Sequence, residues 1–417
     1  MLKQLYSSLS YLAPVVLRPI LNYRQSKGKE SRERISERWG IPTQPRPQGK
    51  LVWLHAASVG ELISLLPLIK RISSDMPEIY TLVTTGTVTA SKVMQRHMPR
   101  LQDNLVHQFA PLDVKSWVER FIKHWKPDLG LFVESELWPN LIFSARRHRT
   151  RLMLINARMS NRSYQRWKRL SGFSSKLMSC FDICFAQSNQ VADQLRDLGA
   201  KDVRSAGNLK FAASPLPFSR EEYDRLKSML KGRKIWVAAS THPGEEEHVF
   251  QAHKKLHAID QKVLTILIPR HPHRGDEVTA LAESVGLNVA RRKDEVTKNK
   301  DVFLIDTIGE TGLFYALSPI AFIGGSFVEV GGHNPIEAAL HNCALLWGSH
   351  VHNFNEVCNI LSPAAINVTP KSLDREVRLL QTNNQRSKQL AKLSFDIVQR
   401  QSNVVDQLIT EMKKLIN

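Results

Sequence analysis

The stretch WLHAASVGELISLLPL, residues 53–68, decides how the first half of this chain is read. An apolar run of strand length leads into Ala57-Ser58-Val59-Gly60, and an apolar helix follows whose first acidic side chain is Glu61. A short apolar run, a turn and a helix make the repeating unit of a parallel sheet. Helix starts favour negative charge because their unpaired N–H groups form the positive end of the helix dipole. Two readings of Glu61 are therefore open: a capping group, or an acid or base held at the end of a strand.

Outward from this stretch the same rhythm continues. LVWLHA, IYTLVTT, LVHQFA, LGLFV and RLMLIN alternate with amphipathic segments, and KIWVAAS, VLTILIP, VFLID, IAFIGG and ALLW form a second series. Alternation of this kind predicts βαβ units. The echo between VWLHAASVGE (52–61) and IWVAASTHPGEEE (235–247) marks the first strand and helix of two doubly wound domains. Each such sheet offers a ligand crevice at the carboxyl ends of its strands. A length of 417 residues also exceeds what one core usually fills. The expected organisation is an interfacial segment at 1–28, a first domain at 29–212, a linker at 213–220 around Pro215 and Pro217, a second domain at 221–390, and a helical segment at 391–417.

Charge narrows the partners. Lys and Arg number 58 against 39 Asp and Glu, giving +19, so an anionic partner is expected. No RNP1 signature, zinc-finger spacing or Gly-Arg repeat is present, which disfavours nucleic acid. Cys180, Cys184, Cys343 and Cys358 are few and read as reduced packing residues, since no second pair completes a zinc site beside the first two. The opening segment is mixed apolar, is interrupted by Pro14, Arg18 and Pro19, and is too short to span a bilayer. It also lacks the cleavage site of a signal peptide. Tyr6, Tyr11 and Tyr23, followed by Arg24, Lys27, Lys29, Arg32, Arg34 and Arg38, suit a helix lying on an anionic leaflet. The plainer reading is a surface helix packed on its domain.

Candidate site residues gather at strand ends. FIGGSFVEVGGHNPIEAAL (322–340) carries two glycine pairs and then Asn334, Pro335 and Glu337, with the residue types of a helix N-cap, N1 and N3. The N–H groups of such a start suit a phosphate. IPRHPHR (268–274) offers Arg270 and Arg274 for bidentate anion binding, and an H-x-H pair, His271 and His273, with no evident third metal ligand. TIGETG (307–312) follows a strand, ESELWPN (134–140) brings Glu134 and Glu136, and INARMS and GNLKF add Asn156, Arg158 and Lys210. The chain has no Walker A loop, no G-x-S-x-G elbow and no Asp-x-Asp metal clamp. A phosphate leaving group would then be met by helix starts, Arg and Lys.

Taken in order, HAASVGE, ESELWPN, NARMS, GNLKF, ASTHPGEEE, PRHPHR, GETG and GGSFVEVGGHNPIEAA resemble the 3-deoxy-D-manno-octulosonic acid (Kdo) transferases of lipopolysaccharide assembly, over roughly residues 50–345. The resemblance implies an α/β GT-B glycosyltransferase of two Rossmann-like domains facing a cleft, the first binding acceptor and the second CMP-Kdo. It implies inverting transfer of Kdo to the lipid A precursor at the cytoplasmic face of the inner membrane, with neither metal nor cofactor and with anionic lipids as further partners. By position it puts the catalytic base on Glu61 and transition-state support on Glu134 and Lys210. It puts CMP contacts on Pro269 and Arg270, on Ile308, Gly309 and Glu310, and on Asn334, Pro335, Ile336 and Glu337. Glu337 has two possible tasks, bonding ribose hydroxyls or closing its own helix start, and the resemblance favours ribose. The alternatives are a nucleotide-sugar epimerase of similar fold and a non-catalytic protein that binds sugar nucleotide or anionic lipid.

Overall fold

A computed structural model describes residues 6, 10, 13–98, 104–294 and 299–416. Tyr11 and most of the first twelve residues lie outside them. The chain forms two compact units, 1–212 together with 401–417, and 213–400.

The first unit holds a parallel sheet of β1 (Leu51–Ala56), β2 (Tyr80–Thr85), β3 (Leu105–Phe109), β4 (Leu129–Val133), β5 (Arg151–Ala157), β6 (Ile183–Ala186) and β7 (Val203–Ser205), in the order β3-β2-β1-β4-β5-β6-β7. Alternate side chains serve opposite faces, as the period of a strand requires. Leu51 and Trp53 enter one buried layer with Phe121, Trp125 and Phe132. Val52, Leu54 and Ala56 enter the other with Leu62, Leu65 and Ile69 of the helix Val59–Asp75. Both faces are therefore covered, which is why these strands read as unbroken apolar runs.

That second layer is completed from the far end of the chain. Val404, Val405, Leu408, Ile409 and Met412 of the helix Val404–Ile416 are buried in it. The stretch 391–417, expected as a segment of its own, is thus divided. The helix Asn384–Ser402 runs from the second unit to the first, and the last helix is part of the first unit's core.

The second unit contains β8 (Lys234–Thr241), β9 (Val263–Pro269), β10 (Val289–Arg291), β11 (Val302–Leu304), β12 (Ile320–Ile323), β13 (Ala344–Trp347) and β14 (Ala365–Asn367). All are parallel, in the order β10-β11-β9-β8-β12-β13-β14. Trp236, Phe250, Phe322 and Leu346 lie in its main core. Residues 213–220, expected as a linker, count with this unit.

The helix Ala13–Ser26 packs through Leu21 against Val114 and Trp117. Its other side leaves Val15, Val16, Ile20 and Tyr23 exposed. Of the basic residues that follow, Arg38 is buried against Glu30 and Arg34 is paired with Glu37, so these two hold the domain together, while Lys27, Lys29 and Arg32 face outward. Among the described residues, no helix is long and apolar enough to cross a membrane.

Candidate active site

Ligands of open parallel sheets bind beyond the strand ends where the strand order reverses. In the first unit that point lies between β1 and β4, so the helix start after β1 carries Glu61 and the loop after β4 carries Glu134.

Ser58 is the N-cap of the helix Val59–Asp75, and its Oγ accepts from the Glu61 N–H at 3.2 Å. The Glu61 carboxylate reaches back, accepting from the Ala57 N–H at 2.8 Å and the Ser58 hydroxyl at 2.7 Å. This is a reciprocal capping arrangement. It leaves Glu61 only 8% exposed and holds its carboxylate in one place at the strand end. Capping and placement are the same hydrogen bonds.

Glu134 follows β4 with φ of 54°, in the left-handed region that residues other than glycine and asparagine rarely adopt. Its N–H donates to Ile155 O at 3.0 Å. Asn156, on the adjacent strand, is left-handed too, and its Oδ1 accepts from the Leu209 N–H at 3.0 Å. That bond ties the short turn Leu209–Ala212, which carries the half-buried Lys210, to the same edge of the sheet. The turn also packs on the helix Val59–Asp75. Strained backbone of this kind is costly and concentrates where side chains must be aimed.

Glu136 joins the group. Burial raises its carboxyl pKa; the hydrogen bond from the Trp138 indole opposes this, and the charges of Glu61 and Glu134 add to the rise. Three carboxylates therefore share one electrostatic neighbourhood at the reversal point.

In the second unit the reversal lies between β8 and β12, and buried Glu245 organises it. Its carboxylate accepts from the N–H groups of His242 at 3.0 Å, Gly325 at 2.6 Å, Ser326 at 3.0 Å and Phe327 at 2.9 Å. Gly324 has no substitute here, because an added Cβ would lie 2.5 Å from Ser240 O. Ser240 itself has φ of 59°, at an irregularity in the β8–β9 pairing.

Arg270 follows β9, is exposed, and is anchored by its N–H to Thr241 O at 2.9 Å. Its charge acts on His242, His333 and Glu337. The Nε2 atoms of His242 and His333 are 2.8 Å apart with the rings nearly parallel, at 4°. Burial first, then Arg270 and the neighbouring imidazoles, push His333 down to about 4. His242 and Glu245 are site-forming groups that sequence reasoning left without a role, although both lie in the ASTHPGEEE echo, and they join His333 of the glycine-rich loop.

The remaining expected donor contacts lie along the same edge. Pro269 ends β9 and is buried. Beyond neighbouring β11, Ile308 is 88% exposed and Gly309 has φ of 90°. Glu310 is held by Arg292, at 2.7 Å to the nearer oxygen. Asn334 accepts from the Ile336 N–H at 3.1 Å. Pro335 rather than Asn334 occupies the N-cap, and the helix, Ile336–Leu340, starts one residue later than its sequence suggests. Burial raises the Glu337 carboxyl, against the pull of the Asn334 amide and Arg270.

One sequence expectation changes. Arg274 is not an anion ligand: it is buried and committed to Glu246 at 2.8 Å and Glu277 at 2.7 Å. Exposed His271 and His273, with ring centroids 5.6 Å apart, gain no third metal-ligating group among the described residues.

Residues 33–213 match the family model for 3-deoxy-D-manno-octulosonic-acid transferase (kdotransferase). The 3-deoxy-D-manno-octulosonic acid transferase of Rickettsia bellii is 34% identical over 99% of this chain and 99% of its own. That of Haemophilus influenzae is 31% identical over 98% and 97%. Among solved structures, the UDP-GlcNAc 2-epimerase of Neisseria meningitidis bound to UDP-GlcNAc covers 88% of this chain and all of its own with a TM-score of 0.57 at 13% identity, a likeness of fold alone. The fold recurs in enzymes of other activity, so full-length sequence similarity is what assigns the activity. This chain belongs to the 3-deoxy-D-manno-octulosonic acid transferase family and is a glycosyltransferase.

Proposed function

We propose that the enzyme transfers Kdo from CMP-Kdo to a hydroxyl of the lipid A precursor with inversion at the anomeric carbon. The first unit binds acceptor and the second binds CMP-Kdo. One observation carries the acceptor side: a cavity of about 410 Å³ is lined by Leu17, Ile20 and Leu21 of the N-terminal helix, by Leu112 and Trp138, by Arg24, Glu30 and Arg38, and by His55 and Ala57. Ala57 is the residue whose N–H holds Glu61. Val15, Val16 and Tyr23 of the same helix are exposed. A largely apolar cavity between an interfacial helix and a fixed carboxylate suits a sugar carrying acyl chains.

In this reading Glu61 takes the proton of the attacking hydroxyl. The hydrogen bonds from Ala57 and Ser58 supply the fixed position that proton transfer requires. As the bond from the anomeric carbon to phosphate breaks, positive charge grows on the sugar and negative charge on CMP. Glu134 supports the first, and Arg270 and Lys210 the second. Pro269, Ile308, Gly309, Glu310 and Asn334 to Glu337 hold the nucleotide, with Glu337 available to ribose hydroxyls. No metal takes part in the transfer. The exposed face of the N-terminal helix, with Lys27, Lys29 and Arg32, rests on anionic lipid at the cytoplasmic side of the inner membrane.

The test is transfer in detergent with CMP-Kdo and a tetraacyl lipid A precursor, read by lipid mass. A gain of Kdo supports the reading. CMP-Kdo binding without any gain overturns the acceptor assignment.

A further inference from the structure

A second constellation lies at the other edge of the second unit's sheet. Asp301 immediately precedes β11, where the strand enters the sheet, whereas the donor residues follow strands that leave it. His253 and His257 are one turn apart on the helix Glu246–Ile259, so both point to one side. Asp301 Oδ1 lies 3.6 Å from His253 Nε2 and 3.6 Å from His257 Nδ1. All three atoms fall within 4.8 Å of one another.

The polar accounting around these atoms is incomplete. His253 is fully buried, yet its Nε2 has no hydrogen-bond partner, and neither has His257 Nδ1. A separation of 3.6 Å is too long for a hydrogen bond. The other atoms of the group are satisfied. His253 Nδ1 pairs with Thr265 Oγ1 at 2.9 Å, and Asp301 Oδ2 accepts from Asn288 N at 2.8 Å and Nδ2 at 3.3 Å. When the Nδ1 proton is donated to Thr265, Nε2 presents a lone pair toward a carboxylate oxygen. That tautomer sets two acceptors against each other and makes a place for a cation between them, whereas the other pairs Nε2–H with Asp301 directly.

We infer that His253 Nε2, His257 Nδ1 and Asp301 Oδ1 form a binding site for a divalent cation of the zinc class. Ligand bonds of about 2.0–2.1 Å in a tetrahedron place ligand atoms about 3.4 Å apart, close to the two spacings of 3.6 Å from Asp301 Oδ1. Two imidazoles and a carboxylate suit Zn²⁺. Thr265 and Asn288 supply the outer hydrogen bonds that fix tautomer and carboxylate orientation. A cavity of about 490 Å³ opens beside His257 and Asp301 and gives room for a water as fourth ligand. Of the cations on its rim, Lys254 donates to Val285 O, Lys300 to Val289 O, and Arg233 to Lys262 O, Val263 O and Lys300 O, while Arg233 also feels the charge of Asp301. Placed on the opposite edge from Arg270, the ion takes no part in transfer and fastens the helix Glu246–Ile259 to the β9–β11 edge.

The experiment uses the full-length protein, stripped with EDTA and freed of chelator. Calorimetric titration with Zn²⁺ is expected to give one ion per chain and a raised melting temperature, and Co²⁺ to give the visible bands of tetrahedral coordination. His257→Ala, at a half-buried helical position, and Asp301→Asn should each weaken Zn²⁺ by more than the roughly 10–100-fold typical of outer-shell losses. His271→Ala and His273→Ala should leave it unchanged. Failure of the parent protein to bind, or binding that survives both His257→Ala and Asp301→Asn, would overturn the assignment.

Discussion

Replacing Glu61 by Gln separates the two tasks of that side chain. In the fold its carboxylate accepts one backbone N–H and the Ser58 hydroxyl. Gln at this position keeps an oxygen for the Ala57 N–H, as Gln does in capping boxes. It loses the charge at the helix start, worth about 0.3–1 kcal/mol, and the acceptor of the Ser58 hydroxyl. The stability cost should therefore be about 1 kcal/mol. Loss of a general base costs about 10²–10⁴ in rate, or roughly 3–5 kcal/mol of barrier. The second effect exceeds the first several-fold, so the two are separable. Purified parent and variant would be compared by denaturant unfolding, CMP-Kdo binding and single-turnover transfer. The expected outcome is a nearly unchanged unfolding midpoint, unchanged donor binding, and turnover lower by at least 100-fold. Turnover within tenfold of the parent in a folded variant would refute the base assignment, leave Glu61 a cap, and direct attention to Glu134.

Four further outcomes follow from the geometry. Burial, then nearby Arg38, pushes His55 down to about 3, and burial with Arg34 and Arg38 does the same to His107. Both stay neutral in the fold while the unfolded chain takes up protons below about 6.5, so each removes about 1.4 kcal/mol of stability per pH unit as pH falls from there toward 4; a flat unfolding free energy between pH 7 and pH 5 would contradict this. Gly324→Ala drives a Cβ into Ser240 O and should cost about 1–3 kcal/mol while weakening CMP binding, read by titration calorimetry; unchanged binding would show that this loop does not shape the site. Charging the exposed positions Val15, Val16 and Ile20 as Glu leaves buried Leu21 in place and should reduce sedimentation with anionic liposomes, whereas unchanged sedimentation removes the interfacial role of the helix. EDTA should lower the melting temperature through the His253 site and leave transfer intact; abolition of transfer, restored by a divalent ion, would show that metal serves the reaction.

Much of the fold was legible because strands buried on both faces announce themselves. LGLFV and VLTILIP coincide with β4 and β9, and ALLW with β13. The strands that escaped notice are short or peripheral. β7, β10 and β14 have three residues each and are largely unburied, so no apolar run marks them; β6, four buried residues, was missed although it is as apolar as ALLW. The periodicity near the C-terminus revealed a helix, but not that its apolar side completes the first unit's core across nearly the whole chain. At the site, Glu61, Glu134, Lys210 and Arg270 stood out because charged groups at strand ends are poor core residues. Glu245 did not, since its task is to bind four backbone N–H groups contributed by loops far apart in sequence. Arg274 misled for the converse reason: besides Glu277 one turn on, its buried partner Glu246 lies 28 residues away, a separation at which pairing is invisible without the fold.

The most direct measurement is the mass of a tetraacyl lipid A precursor after incubation with CMP-Kdo and the parent enzyme. The account requires an increase equal to one or more Kdo residues, dependent on both enzyme and donor. An unchanged lipid mass, with donor binding intact and CMP-Kdo not consumed beyond its own hydrolysis, would contradict it.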